Sequence, residues 1–353
     1  MCQNKSRGLG GAMSMTEFPL NTYSLKPFLH KVLLPLVYPL LLHFGILLLG
    51  CPGVGKTPFV IILAMALGRY HVRQSGDEGL KAGWRRAKSL DNFHHRAPHV
   101  QEALFLDDPS RSKVSIADLK SFLAANEDGT VESRYNDTRL IKNQLRAYAS
   151  NDLKEDLEPE QRAGTTLLAG RFLLLLDELF AGEKEKDVCA VLKRSIIFVF
   201  TEHALYLRLP SVDKEAIVHR ICVDDIHKDL LAEKDKPQNA KYKSGTLETG
   251  LMFDTELQQE QSLLDTAMNK MAEYEKMEEY VHFVNGKVQD HLFRSQDIRV
   301  LASSQTSEDE APVALGAAPV PPIGTKCAGR RPCTQPVAFV SRHQSLAQKT
   351  SKS

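Results

Sequence analysis

The stretch LLLGCPGVGKTPF, Leu47–Phe59, runs from an apolar strand into a Gly-x-x-x-x-Gly-Lys-Thr frame. Gly50, Gly53 and Gly55 let the backbone turn tightly and aim its N–H groups inward, with Val54 and Pro58 completing the loop. Lys56 sets a positive charge where β- and γ-phosphates would sit, and Thr57 offers a hydroxyl to Mg2+. A helix that begins here adds its positive dipole end, and Pro58 in the first turn costs no hydrogen bond. The pattern predicts a phosphate cradle for ATP. The alternative is a glycine-rich turn ahead of a core helix.

A phosphate loop needs a second strand ending in carboxylate, to hold the metal and orient water. Two stretches compete. ALFLDD, Ala103–Asp108, is an apolar run closed by an acidic doublet and stopped by Pro109. FLLLLDELFAG, Phe172–Gly182, reaches Asp177 and Glu178 with leucines at helical spacing and no turn residue before Gly182, the pattern of a buried helix. The first fits better: Asp107 is expected to share Mg2+ with Thr57, and Asp108 to polarise the attacking water.

A third apolar strand, RAYASND (Arg146–Asp152), carries Asn151 at its tip. An amide there can touch the γ-phosphate and the lytic water together, although Ser-Asn-Asp is also ordinary turn chemistry. Lys/Thr, Asp/Asp and Asn on successive strands would converge on one edge of a parallel sheet. Between the second and third strands, SIADLKSFLAANEDG offers Ser115 as an N-cap and Leu119, Phe122 and Leu123 as one apolar face. The expected fold is therefore α/β: a P-loop domain with a mainly parallel sheet flanked by helices.

In this order GCPGVGKT, ALFLDD and RAYASND resemble Walker A, Walker B and motif C of the superfamily 3 helicases, AAA+-related ATPases of small viruses and mobile elements. The likeness covers about residues 40–200, and GTVESRYNDTRLIKNQ (Gly129–Gln144) sits where that family has its B′ motif and DNA-contacting hairpin. The resemblance implies an ATP- and Mg2+-dependent motor on single-stranded DNA or RNA, working as a homo-oligomeric ring. It also implies an arginine that enters a neighbour's site. VLKRSIIFVF is similar to the family's basic doublet before a final core strand, so Arg194 is the first choice, with Arg208 and Arg220 as alternatives. Arg134, Arg139, Lys142 and Arg146 are the cations of the hairpin region that could track a nucleic-acid backbone. A second basic set, KAGWRRAK, surrounds Trp84, which either stacks on a base or anchors the core. The histidines of FHHRAPH lack the His-hydrophobe-His arrangement of a nicking domain.

Composition is that of an ordinary globular chain: 353 residues, 42% apolar, 25% charged, net charge +1. No global field draws it to nucleic acid or membrane, so any such contact must be local. Six cysteines without a Cys-x-x-Cys pair point to an intracellular protein, cytoplasmic or nuclear, rather than a disulfide scaffold. VLLPLVYPLLLHFGILLLG, Val32–Gly50, imitates a membrane span, but Pro35, Pro39 and His43 interrupt it and its end already belongs to the loop strand. No membrane association is expected.

The chain divides into a flexible leader (1–25), the core with its associated helices (26–235), a helical extension (236–299) and a disordered basic tail (300–353). Glu256–Phe283 reads as one long polar helix with a stripe at Leu263, Leu264, Met268, Met271 and Tyr274. Two other functions share the loop: a non-motor ATPase that switches or assembles a protein partner, and a small-molecule kinase.

Overall fold

The computed structural model describes residues 13–14, 21–77, 79–94, 96, 98–110, 114–131, 137–151, 153, 166–167, 169–235 and 251–305. The first residues of the expected disordered tail, 300–305, continue a helix, whereas its residues 306–353, Arg134 and Asp152 lie outside the described residues.

GILLLG forms strand β2 (Gly45–Gly50), and all of its residues are buried. A strand with no wet face must be covered on both sides and paired on both edges. Its parallel neighbours are β7 (Arg146–Ser150) and β9 (Ser195–Phe200). Beyond β7 lie β4 (Glu102–Asp107) and then β3 (Gly83–Ala87), also parallel. Antiparallel strands finish the sheet. β1 (Met13–Ser14) edges β3, while β10 (Leu205–Arg208), β11 (Val218–Ile221) and β8 (Thr166–Leu167) continue from β9. The sheet has 9 strands in the order β1-β3-β4-β7-β2-β9-β10-β11-β8. A separate hairpin pairs β5 (Gly129–Val131) with β6 (Thr138–Leu140). The sheet is thus mixed, with a parallel centre.

Connection order dictates the layers. From β2 the chain crosses over to β3, then returns through β4 and β7 and passes to β9 on the far side. Right-handed crossovers running in opposite directions place their helices on opposite faces. Accordingly α2 (Lys56–Ser75) packs Phe59, Ile62 and Leu63 with Phe105 and Phe198 on one face. On the other face, α3 (Ile116–Leu123), α4 (Ala169–Leu175), α5 (Asp177–Phe180) and α6 (Glu185–Leu192) bury Phe122, Leu175, Phe180 and Leu192 against Leu47, Leu104 and Val199. Ser115 caps α3 as its sequence implies, accepting the Asp118 N–H at 3.1 Å.

α2 is apolar almost all round, so it needs cover on its outer side as well. That cover comes from the N-terminal segment together with α7 (Leu251–Met271) and α8 (Met277–Gln305). Arg69, buried on α2, is paired with Glu260 of α7, its Nε donating at 3.0 Å. Glu260 also accepts the Thr22 N–H at 2.9 Å. Asn21–Leu25, placed by sequence in a flexible leader, is consequently a buried turn capped by Asn21.

The single long helix expected over Glu256–Phe283 is two helices. The chain breaks after Met271, and Tyr274 in the break packs its ring against Tyr280 and Phe283 at 5.4 and 5.5 Å. The turn lets both apolar stripes reach the core, with Leu264 and Met268 buried from one and Val284 and Val288 from the other. The membrane-like run is a π-helical turn (Leu29–Leu33), a short α1 (Leu34–Val37) and a 3-10 turn (Pro39–Leu42). Among the described residues no helix is long and apolar enough to cross a membrane. Strands β3, β10 and β11 were not expected from the sequence.

Candidate nucleotide site

Register brings the three strand tips level. Asp107 of β4 stands beside Ala149 of β7, and Leu49 of β2 stands beside Ser150 of β7. Gly50, Asn151 and the acidic doublet therefore leave the sheet at the same edge. Asn151 and the acidic doublet line a cavity of about 430 Å3 together with Gly53, Gly55, Lys56, Thr57, Pro58, Arg86, Asp229 and Leu231.

Gly50 has φ 118°. A Cβ there would lie 1.9 Å from the Phe200 carbonyl oxygen, so no other residue can turn the chain out of β2. Gly53 and Gly55 also have positive φ, 83° and 91°. Val54 turns inward and is buried, and its carbonyl accepts the Leu230 N–H at 3.0 Å, which braces the loop from below.

Six polar side chains of the cleft, Lys56, Thr57, Arg86, Asp107, Asp108 and Asn151, are joined in two chains of contacts. Lys56 Nζ donates to Gly50 O at 2.5 Å, Cys51 O at 2.7 Å and Asn151 Oδ1 at 2.8 Å. Asn151 in turn donates its N–H and Nδ2 to the two oxygens of Asp108 at 3.1 and 2.7 Å. Asp108 is held at φ 50° and its own N–H donates to Ala149 O at 2.9 Å. A second chain joins Thr57 Oγ1 to both oxygens of Asp107 at 3.3 Å, and Asp107 to the guanidinium of Arg86. Burial pushes the Lys56 ammonium below its usual pKa, opposed by nearby Cys51, Asp108 and Asp107.

The groups present fit a magnesium triphosphate. Among the described residues no set of three or more His, Cys, Asp or Glu side chains converges as a metal cluster. One carboxylate, Asp107, and one hydroxyl, Thr57 Oγ1, stand together as oxygen ligands that would leave Mg2+ to complete its shell from phosphate and water.

The competing doublet goes elsewhere. Asp177 and Glu178 open α5 and do not line the cavity. Arg194 sits ahead of β9, where its carbonyl accepts the Gly45 N–H at 3.1 Å, so it lies at the opposite edge of the sheet from Lys56. Its guanidinium bonds the Ala190 carbonyl at 2.9 Å and it borders a different cavity, of about 640 Å3. Arg208, an alternative to it, is fully buried, with Nη2 on Asp213 O at 2.6 Å and Nη1 on Leu192 O at 3.1 Å. A guanidinium so enclosed cannot enter a neighbour. Arg220 is half-buried in β11.

The basic sets divide in the same way. Arg139 and Lys142 are exposed on and beside the β5–β6 hairpin. Arg146 is buried, donating to Ala124 O at 2.7 Å and Ile141 O at 2.6 Å, so it belongs to the core and not to a nucleic-acid surface. Trp84 is a core residue of β3. Arg85 is buried with Glu102, whereas Arg86 reaches the cleft. The sequence placed Arg86 in the basic set around Trp84 rather than in this cleft, and it did not single out Asp229 or Leu231. For Arg86 a signal existed, since successive strand residues point to opposite faces, but β3 had not been recognised as a strand.

No family model, curated protein or solved structure matches the chain.

Proposed function

We propose that this chain is a P-loop ATPase that drives movement along single-stranded DNA or RNA, in the manner of the superfamily 3 helicases that its motifs resemble. The observation that carries the proposal is the paired network in one cleft, Lys56–Asn151–Asp108 beside Thr57–Asp107, drawn from three neighbouring parallel strands.

The bound triphosphate takes over the partners of Lys56, whose ammonium moves from loop carbonyls to phosphate oxygens. Asn151, released from Lys56, is then placed to touch the γ-phosphate. Asp108, loosened in turn from Asn151, becomes the acceptor that polarises water. Water attacks the γ-phosphorus, its proton passes toward Asp108, and the bond to the bridging oxygen breaks to leave ADP and phosphate. Thr57 and Asp107 would hold Mg2+, which would supply charge neutralisation at the phosphates. The exposed Arg139 and Lys142 on the hairpin are the proposed nucleic-acid contacts.

A second function is favoured by one observation. The loop helix α2 is tied to α7 through Arg69–Glu260 and Arg73–Asp265, so nucleotide state could be passed to the C-terminal helices and a protein partner.

Turnover measured with and without single-stranded DNA or RNA separates the two. A motor is stimulated, and Arg139→Ala with Lys142→Ala abolishes that stimulation while basal turnover stays. Indifference to both nucleic acids favours the switch. Lys56→Ala is expected to lower turnover at least about a hundredfold, the scale for removing a charge that meets the transition state. Asp108→Ala should bind nucleotide without turning it over, and Asp177→Ala should behave as wild type. An inactive Asp177→Ala with an active Asp107→Ala would reverse the assignment of the acidic pair.

A further inference from the structure

The doublet Arg85-Arg86 splits its two guanidinium groups between opposite faces of β3. Arg85 is enclosed, bound to Glu102 and to the carbonyls of Phe93 and Arg96 at 3.2 and 2.9 Å. Arg86 reaches in from solvent. Its side chain is 55% exposed, while that of its partner Asp107 is 11% exposed. Asp107 is therefore a nearly buried carboxylate whose charge is met by one arginine and one hydroxyl, Thr57 Oγ1 at 3.3 Å. A nearly buried carboxylate is costly unless a cation or a proton meets its charge. The Lys56 ammonium is nearby but bonded to Gly50, Cys51 and Asn151, so Arg86 is the cation in contact with Asp107.

Resting on the P-loop proposal, we infer that Arg86 is a built-in counter-ion for the metal-binding carboxylate: it occupies Asp107 in the nucleotide-free protein, excludes free divalent cation, and gives way only to metal arriving with a triphosphate. The geometry supports each part. The strand that carries Arg86 is in register with β4, Arg86 beside Phe105 and Ala87 beside Leu106, so the guanidinium is delivered to the end of β4 by rigid backbone. Its contact is with an oxygen of Asp107 that also faces Thr57, the two groups between which a divalent ion would be shared. Being half exposed, the guanidinium can swing to solvent or to the phosphates without unfolding anything. When it leaves Asp107, a phosphate-rich ligand in the same cavity offers it a matching acceptor. The device makes metal and nucleotide enter together.

The test uses Mn2+ alone as probe, followed by electron paramagnetic resonance on the nucleotide-free full chain. Wild type should bind Mn2+ weakly. Arg86→Ala and Arg86→Gln should each bind it roughly tenfold more tightly, because a unit positive charge close to the dication has been removed. Arg86→Lys should stay near wild type. In Arg86→Ala/Asp107→Asn the gained binding should vanish. Two results overturn the inference: equal Mn2+ affinity in wild type, Arg86→Ala and Arg86→Gln, or a gain that survives Asp107→Asn. A fluorescent ATP analogue, titrated separately, keeps the two proposals apart. Wild type that fails to bind the analogue removes the P-loop proposal, while the Mn2+ comparison still decides whether Arg86 guards Asp107.

Discussion

The two edges of the parallel sheet hold their charges in opposite ways. At the amino edge, Arg146 and Arg208 are completely enclosed and direct their Nη donors at main-chain carbonyls. Several of those carbonyls end helices: Arg146 reaches Ser121, Phe122 and Ala124 at the close of α3, and Arg208 reaches Leu192, the last residue of α6. Helix C-termini leave carbonyls without partners, and a planar guanidinium with five donors suits several at once. At the carboxyl edge, Asn151, Asp107, Asp108 and Arg86 bond through their side chains within the cleft, Lys56 joins them through Asn151 while also donating to two loop carbonyls, and all five border an open cavity. Charges enclosed in the core have no ligand within reach to take their place. Charges that border a cleft can be exchanged for a ligand.

The widest separation between the edges should appear when one cation is removed from each. Arg146→Ala takes a close donor from the buried Ala124 carbonyl and from the part-buried Glu127 and Ile141 carbonyls, of which Ile141 O keeps the Gln144 N–H, at a cost on the order of 3 kcal/mol. Lys56→Ala takes a donor from one buried carbonyl, Gly50 O, its other partners on Cys51 and Asn151 being half-buried and exposed, and its cost in stability should stay within about 1 kcal/mol. Urea denaturation of the two variants checks this. Equal destabilisation would mean that the cleft network is as structural as the amino edge, and the exchange argument would fall.

A smaller effect should come from pH. His219 on β11 is buried and bonded through Nε2 to Asn285 Oδ1 of α8 at 2.9 Å. Burial pushes its pKa below the ordinary imidazole value, with Asn285 opposing, and His43, His71 and His227 are lowered for the same first reason. Above the unfolded-state value, about 6.5, both folded and unfolded chains hold neutral imidazoles and stability is full. As pH falls below it the unfolded chain binds protons first, so stability is lost until the folded-state pKa is passed. Thermal melts between pH 7 and pH 5 should show this decline, and His219→Gln should make it shallower. An unchanged slope in His219→Gln would remove that imidazole from the account.

Legibility in the sequence followed the same division. The parallel centre was readable because β2, β4, β7 and β9 are short apolar runs with a chemical mark at one end, a glycine loop, a doublet or an amide. β3 was not, because Trp84-Arg85-Arg86 shows a charge doublet where a buried strand would be apolar, and only tertiary pairing with Glu102 makes Arg85 a core residue. β10 and β11 were hidden in a similar way: the internal polar groups of Arg208 and His219 are met by carbonyls and by Asn285 from distant segments. Cations followed no local rule either. Arg139, Lys142 and Arg146 lie close together in sequence, yet the first two are exposed and the third is fully enclosed. Sequence spacing records which charges are near, not which carbonyls await them.

The smallest change in stability belongs to Arg194, and it asks the most of the comparison, because this arginine stands at the amino edge without being enclosed. It is half-buried and its guanidinium bonds one carbonyl, Ala190 O at 2.9 Å, so Arg194→Ala should alter stability by no more than about 0.5 kcal/mol. Within one chain β2 alone, spanning Gly45–Gly50, separates it from the loop by roughly 15–20 Å. If Arg194 serves a neighbour's γ-phosphate, as the resemblance implies, Arg194→Ala and Lys56→Ala should each be inactive alone. Mixed together, they should recover part of the turnover, because the intact Lys56 of one chain can meet the intact Arg194 of the other. Activity in Arg194→Ala alone, or silence in the mixture when both variants co-assemble, would return this arginine to the surface and leave the carboxyl edge to act without it.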